Sequence, residues 1–246
     1  MPVDPPALLP TNEHPSLRWT GLTGAATALQ VARAATQAPG PVLLVPQDAA
    51  MAARMEEELA FFCAGAVPVF AFPGYETLPY DQFSPHPDII SQRLRTLARL
   101  PALKRGIVIV DLQTALQRLP PRTFIDGHAL SLKAGEALDL EQFRLRLTSA
   151  GYASVPQVGE PGVIESIRSF DAESQRSLEK LSRFDLLPAR EFSLSSDAIK
   201  DFRRRFRTRF EGDLTRMPLY RDVGEGLAPA GIEYYLPLFF DRTANL

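Results

Sequence analysis

Apolar and polar positions change rhythm along this chain, and the changes mark out its elements. From Thr23, "TGAATALQVARAATQAPG" sets Leu29, Val31 and Ala32 among alanines of high helix propensity, and Pro39-Gly40-Pro41 stops the run. "PVLLVP" at 41–46 is a short unbroken apolar stretch, which predicts a strand buried on both faces. A helix follows in "DAAMAARMEEELAFFCAG", ended by Gly65, and "AVPVFAFPG" predicts a second strand. "DIISQRLRTLARLPAL" spaces Ile89, Ile90, Arg93, Leu94 and Leu97 for one helical face, with Asp88 placed to cap it. "GIVIVDL" at 106–112 is the clearest buried strand, and "QTALQRL" after it is a short helix closed by Pro120-Pro121.

Strand and helix thus alternate, which predicts a parallel sheet flanked by helices. The rhythm breaks after 125. "HALSLKAGEALDLEQFRLRLTSAGYASVPQV" reads as strand, turn at Ala134-Gly135, a helix begun at Asp139, then a strand after Gly151. "IESIRSFDAESQRSLEKLSRFDLLPAREFSL" adds two strand-like pieces around a polar turn, a smaller α+β unit. From Ser196 a helix returns in "DAIKDFRRRFRTRFEG", and "PAGIEYYLPLFF" closes the chain on apolar and aromatic residues. The proline-rich residues 1–18 are expected to form an arm.

At 246 residues, 45% hydrophobic and 23% charged, the chain can bury one large core or two ordinary ones. Its net charge of −2 exerts no overall pull on nucleic acid or an anionic membrane, so any basic surface is local. The lone Cys63 excludes an internal disulfide and a cysteine-built zinc site, and its apolar helical setting reads as a buried structural thiol. The first residues lack a basic start and an apolar run, and no stretch approaches the ~18 apolar residues of a membrane span. A cytoplasmic protein without a membrane partner is expected.

Candidate chemistry is sparse. Gly21-Leu22-Thr23-Gly24-Ala25-Ala26-Thr27-Ala28, before the first helix, can be laid over the phosphate-loop pattern G-x-x-x-x-G-K-[ST]. Gly21 fits, but Ala26, Thr27 and Ala28 replace the second glycine, the lysine and the hydroxyl, so the charge and the magnesium ligand are missing. A tight turn explains Gly21, Thr23, Gly24 and Thr27 equally well. In "FRRRFRTRF", Phe202, Phe206 and Phe210 form one stripe while Arg203, Arg204, Arg207 and others occupy the opposite sides, and with Arg209 these are the candidates for DNA phosphates, or a solvated surface. Asp197, Asp201, Glu211 and Asp213 lie close enough to offset that charge. His14, His86 and His128 are scattered and make no metal set. In "YETLPYDQFSPHPDIISQRL", His86 with Glu76, Asp81 and Asp88 suggests an active-site loop, yet no partner for general-base work is identified.

With those residues in hand, the blocks "LTGAA", "ETLPYDQFSPHPDIISQRLRTLARLP", "GIVIV", "LQRLPP", "IRSFDAESQRSL", "LLPAREF" and "PAGIEYYLPLFF" resemble, in order, the N-terminal module of the bacterial transcription-repair coupling factors, the Mfd family. The likeness runs from about residue 19 to 241. It implies a fold similar to the first domains of the excinuclease subunit UvrB: a helicase-like α/β domain at 19–125 and 190–246, lacking a phosphate loop, interrupted by a smaller α+β domain at 126–189. The resemblance makes "YDQFSPHPD" a structural connector where UvrB carries a longer hairpin. It implies a non-catalytic module that recruits UvrA through the inserted domain, with no cofactor here. The family's ATP- and Mg-dependent DNA translocase and its RNA polymerase contacts would lie beyond Leu246.

One departure stands out. After "QVGEPG", Gly162 passes through Val163 straight to Ile164, and by comparison with the family roughly 25 residues bearing the UvrA-contacting arginines and aromatic are absent. Arg168 and Phe170 lie nearby as partner-binding candidates. Two rival readings stand beside the adaptor: a helicase-like ATPase fragment using the glycine turn, and a DNA-binding module using the 202–210 helix.

Overall fold

The computed structural model describes residues 9–79, 81–152, 162–171, 174 and 176–246. In chain order the elements are α1 (Ala26–Gln37), β1 (Val42–Leu44), α2 (Ala49–Cys63), β2 (Val69–Ala71), α3 (Pro87–Arg99), β3 (Ile107–Ile109), α4 (Leu112–Ala115) and α5 (Arg122–His128). There follow β4 (Leu130–Lys133), β5 (Ala137–Leu138), α6 (Leu140–Ser149), β6 (Gly162–Val163), β7 (Ile167–Asp171), β8 (Arg176–Leu181), β9 (Arg183–Leu186), α7 (Ser196–Arg209) and α8 (Pro218–Gly224), then a 3-10 segment at Ile232–Phe239. The fold is mixed α/β, and the chain forms two compact units, one of residues 1–76 and 99–117, the other of 77–98 and 118–246.

In the first unit a parallel sheet has the order β1-β3-β2, with Val42 and Val69 both opposite Ile107. The unbroken apolar run of β3 suits its central place, where Ile107, Val108 and Ile109 are all buried. Ile107 and Ile109 pack with Ala28, Val31 and Ala32 of α1 and Met55 and Leu59 of α2. Asp48 caps α2 by accepting from the Met51 amide at 2.8 Å, and Ala64 and Gly65, both left-handed, end it. Cys63 is buried as expected, and burial pushes its thiol up.

The expectation that β1 is covered on both faces is corrected. β1 lies at the sheet edge; Val42 and Leu44 turn toward the core cluster, whereas Leu43 is 52% exposed. An apolar run reports hydrophobicity and not which side of the strand has a neighbour.

The second unit is organised by aromatic packing. Phe202 and Phe206 of α7 meet Phe192, Tyr220, Val223, Ile232 and Phe239, and Phe192 stacks on Phe239 at 4.6 Å. The four-residue phenylalanine spacing is realised with Ser195 as N-cap, bonding the Ala198 amide at 3.3 Å. The Ala134-Gly135 turn is present, with Gly135 at φ +86°, and Asp139 caps α6 through the Glu141 and Gln142 amides. Three antiparallel pairs follow, β4 with β9, β5 with β6, and β7 with β8. The expected strand after Gly151 falls mostly on 153–161, outside the described residues. So do residues 1–8 of the arm and part of the polar turn at 171–176.

Asp88 is not the cap of α3, which corrects a second expectation. The helix starts one residue earlier, at Pro87, so His86 occupies the cap position and its Nδ1 accepts from the Asp88 amide at 3.3 Å. Proline is preorganised for the first helical position, and that moves the boundary. On α3 the buried positions are Ile90, Arg93, Leu94 and Thr96.

Candidate partner-binding surface

The glycine turn before α1 is built for geometry. Gly21 and Gly24 have φ of +73° and +55°, and a Cβ at either would meet no atom within 4 Å, so backbone conformation and not close approach calls for glycine. The Ala26 amide bonds the Thr23 carbonyl at 3.1 Å, and Ala25, at the cap, makes no side-chain bond to the helix. Among the described residues no strand leads into this turn. Thr27 brings no cation. A phosphate loop aims its amides from a strand-to-helix turn and places a lysine where Thr27 stands. Among the described residues no group of three or more His, Cys, Asp or Glu could hold a metal ion.

The stretch after Glu76 is anchored. The Tyr234 hydroxyl bonds both the Thr77 carbonyl and its hydroxyl, Ser84 Oγ donates to Glu233 Oε2 at 3.1 Å, and the Gly231 amide donates to Ser84 Oγ at 3.3 Å. Burial pushes the Glu233 carboxyl above the usual carboxylate range, aided by the charge of Glu191, while the Ser84 bond and Arg190 oppose it. His86 is exposed, and its Nδ1, which accepts from the Asp88 amide, also lies 3.3 Å from a carboxylate oxygen of exposed Asp88. Among the described residues of this stretch, Thr77 and Ser84 are tied to the Gly231–Tyr234 segment.

Of the four α7 arginines singled out in the sequence, Arg203, Arg204 and Arg207 have intramolecular partners. Arg203 lies over the Tyr220 ring at 4.8 Å, Arg204 donates to Asp201 at 2.9 Å and reaches Asp241 at 3.7 Å, and Arg207 Nε bonds the Arg203 carbonyl at 3.3 Å. Arg205 joins Asp201 and Asp241 and bonds the Leu238 carbonyl at 3.0 Å. Arg209, exposed, makes no ion pair. Asp241 and Tyr220 were missed in the sequence because their relation to α7 comes from the tertiary fold; Asp201 was legible from its spacing.

The β7–β8 hairpin holds the two partner candidates. Arg168 stands opposite Lys180 and Phe170 opposite Ser177, with an irregularity between that places Leu178 and Glu179 against Ser169. Ser169 Oγ accepts from the Glu179 amide at 3.0 Å, fixing the bulge. Arg168 and Lys180 are exposed and, among the described residues, carry no ion pair. Lys180 was not singled out in the sequence, because its place beside Arg168 depends on register.

No protein-family model matches the chain. Among curated proteins, the transcription-repair-coupling factor of Escherichia coli (strain K12) is 42% identical over 248 aligned positions, covering 90% of this chain and 21% of that protein. The chain is a homologue of part of a transcription-repair-coupling factor. The Haemophilus influenzae factor is 36% identical over 90% of the chain, and the Staphylococcus aureus factor 27% over 85%. The chain spans about a fifth of the length of these factors. Ninety per cent of 246 residues is about 221, so some 27 of the 248 positions aligned with the E. coli factor have no residue of this chain. Among the described residues no helix is long and apolar enough to cross a membrane.

Proposed function

We propose that this chain is the N-terminal module of a transcription-repair-coupling factor and works as a non-catalytic adaptor that recruits UvrA in transcription-coupled nucleotide excision repair. The observation that carries the reading is 42% identity across 90% of the chain to a factor of that name. On this reading the chain has the UvrB-like plan, a helicase-like α/β domain at 19–125 and 190–246 with a smaller domain inserted at 126–189. The ATP-driven translocase and the contacts to RNA polymerase and DNA belong to other parts of the full-length protein.

The glycine turn supports an adaptor over an ATPase fragment, since Thr27 stands where a phosphate-binding lysine is needed and no strand feeds the turn among the described residues. The α7 arginines support it over a DNA-binding module, because Arg203 and Arg204 are engaged within the fold. The 27 or so unmatched positions fit a segment missing after Gly162, and with it the family's UvrA contacts. UvrA recruitment is tested by calorimetric titration of UvrA into this chain and into one with the family's segment restored after Gly162. Binding by the restored chain alone makes this chain an adaptor lacking its main recruiting surface. Equal binding moves the contacts to the hairpin, and no binding by either ends the reading.

A further inference from the structure

The β7–β8 hairpin places two cations where neither helps the fold. Arg168 and Lys180 are directly opposite each other in an antiparallel pair, an arrangement that is destabilising for like charges. Both are exposed and, among the described residues, neither makes an ion pair with a carboxylate, although the hairpin also carries Glu179 and Asp171. Successive residues of a strand alternate faces, so Glu179, next to Lys180 in β8, does not share the face of the Arg168–Lys180 pair. The hairpin is two-stranded, and among the described residues no third strand pairs with either edge. Among the described residues nothing pairs with its outer backbone groups, which can take a further strand.

We infer that this face of the hairpin is a docking surface for an acidic, extended segment of a protein partner, with Arg168 and Lys180 receiving its carboxylates while its backbone adds along an open edge. The inference rests on the partner-recruiting reading above and names the chemistry of the surface. A nucleic acid is the poorer fit. Two cations on one face, beside Glu165, Asp171 and Glu179 on the same segment, do not form the cationic track that a phosphate backbone requires.

The test is fluorescence anisotropy with a short fluorescein-labelled peptide of alternating glutamate and valine, read at low and high salt. It is run against the whole chain, the neutral variant Arg168→Gln with Lys180→Gln, and the reversed variant Arg168→Glu with Lys180→Glu. The substituted side chains are exposed, and circular dichroism checks that each variant is folded. Salt-sensitive binding by the natural chain, weakened about tenfold in the neutral variant and abolished in the reversed one, is the expected result. Equal binding by all three, or none by the natural chain, overturns the inference, as does duplex DNA binding through these residues while the peptide does not. The UvrA titration stands apart: a chain that takes the peptide but not UvrA retains this surface and loses the recruiting role.

Discussion

Arg93 Nε donates to Glu191 Oε1 at 2.8 Å with both side chains fully buried, tying α3 to a segment 98 residues further along the chain. The two lie in the blocks "DIISQRLRTL" and "LLPAREF", so segments distant in sequence meet through one charged pair in the second unit. Removing one partner strands a buried charge. Arg93→Met or Glu191→Leu alone should cost about 3 to 5 kcal/mol, and the double replacement less than the sum of the two. Urea denaturation of the three variants checks this; additive losses would mean that the pair is not coupled.

Among the glycines described in the second unit, Gly231 has the closest backbone neighbour. Its φ is +78°, and a Cβ there would lie 2.5 Å from the Asp81 carbonyl oxygen, which belongs to the anchored connector. Gly231→Ala combines a left-handed cost of roughly 1 to 2 kcal/mol with a clash against backbone, whereas Gly24→Ala carries only the conformational cost. Gly231→Ala should therefore lower the melting temperature well beyond Gly24→Ala. Equal losses would mean that the connector yields to the added methyl.

Glu233 gives the fold a pH dependence of definite sign. Its carboxyl is held above the usual range chiefly by burial, so the folded state holds the proton more tightly than the unfolded chain does. The resulting stabilisation is full below the ordinary carboxylate range and is lost as pH rises through the raised value. Glu233→Gln mimics the protonated form and can still accept from Ser84. It should flatten stability against pH over that window, which thermal melts across mildly acidic pH would reveal; an unchanged slope would place the titration elsewhere.

Much of this architecture was legible because its signal is local. The unbroken apolar run of β3 marked a buried strand, and the spacing of Phe202 and Phe206 marked the buried stripe of α7. What was not legible depends on partners distant in sequence. Leu43 belongs to an apolar run, yet the edge position of β1 leaves it open, and only topology decides that. Helix α5 escaped notice because seven residues containing Gly127 carry too little periodicity. The partner surface was half visible: Arg168 and Phe170 were singled out, but Lys180 joins them only through a register that includes a bulge.

The glycine turn leads to a simple expectation for nucleotides. A ligand that binds only the native state at 100 times its dissociation constant adds about 2.7 kcal/mol of stability. With no lysine at 27 and no cap bond at Ala25, millimolar Mg-ATP should leave the melting temperature of this chain unchanged. A clear upward shift would restore the ATPase-fragment reading.

The arginines of α7 divide into two groups by what they touch. Arg203 is stacked on Tyr220, an arrangement worth about 0.5 to 1 kcal/mol at an exposed site, so Arg203→Ala should lower stability by that order. Arg207 bonds only a carbonyl of its own helix and Arg209 makes no ion pair, so reversing both to glutamate should change stability by less than about 0.5 kcal/mol. If α7 is a solvated outer face, duplex DNA binding by the chain, measured by filter retention across a salt series, is the same with and without that reversal. A steep, salt-dependent loss in the Arg207→Glu with Arg209→Glu variant would instead assign the DNA contact to this helix, since neutralised phosphates release counterions in proportion to the cations engaged.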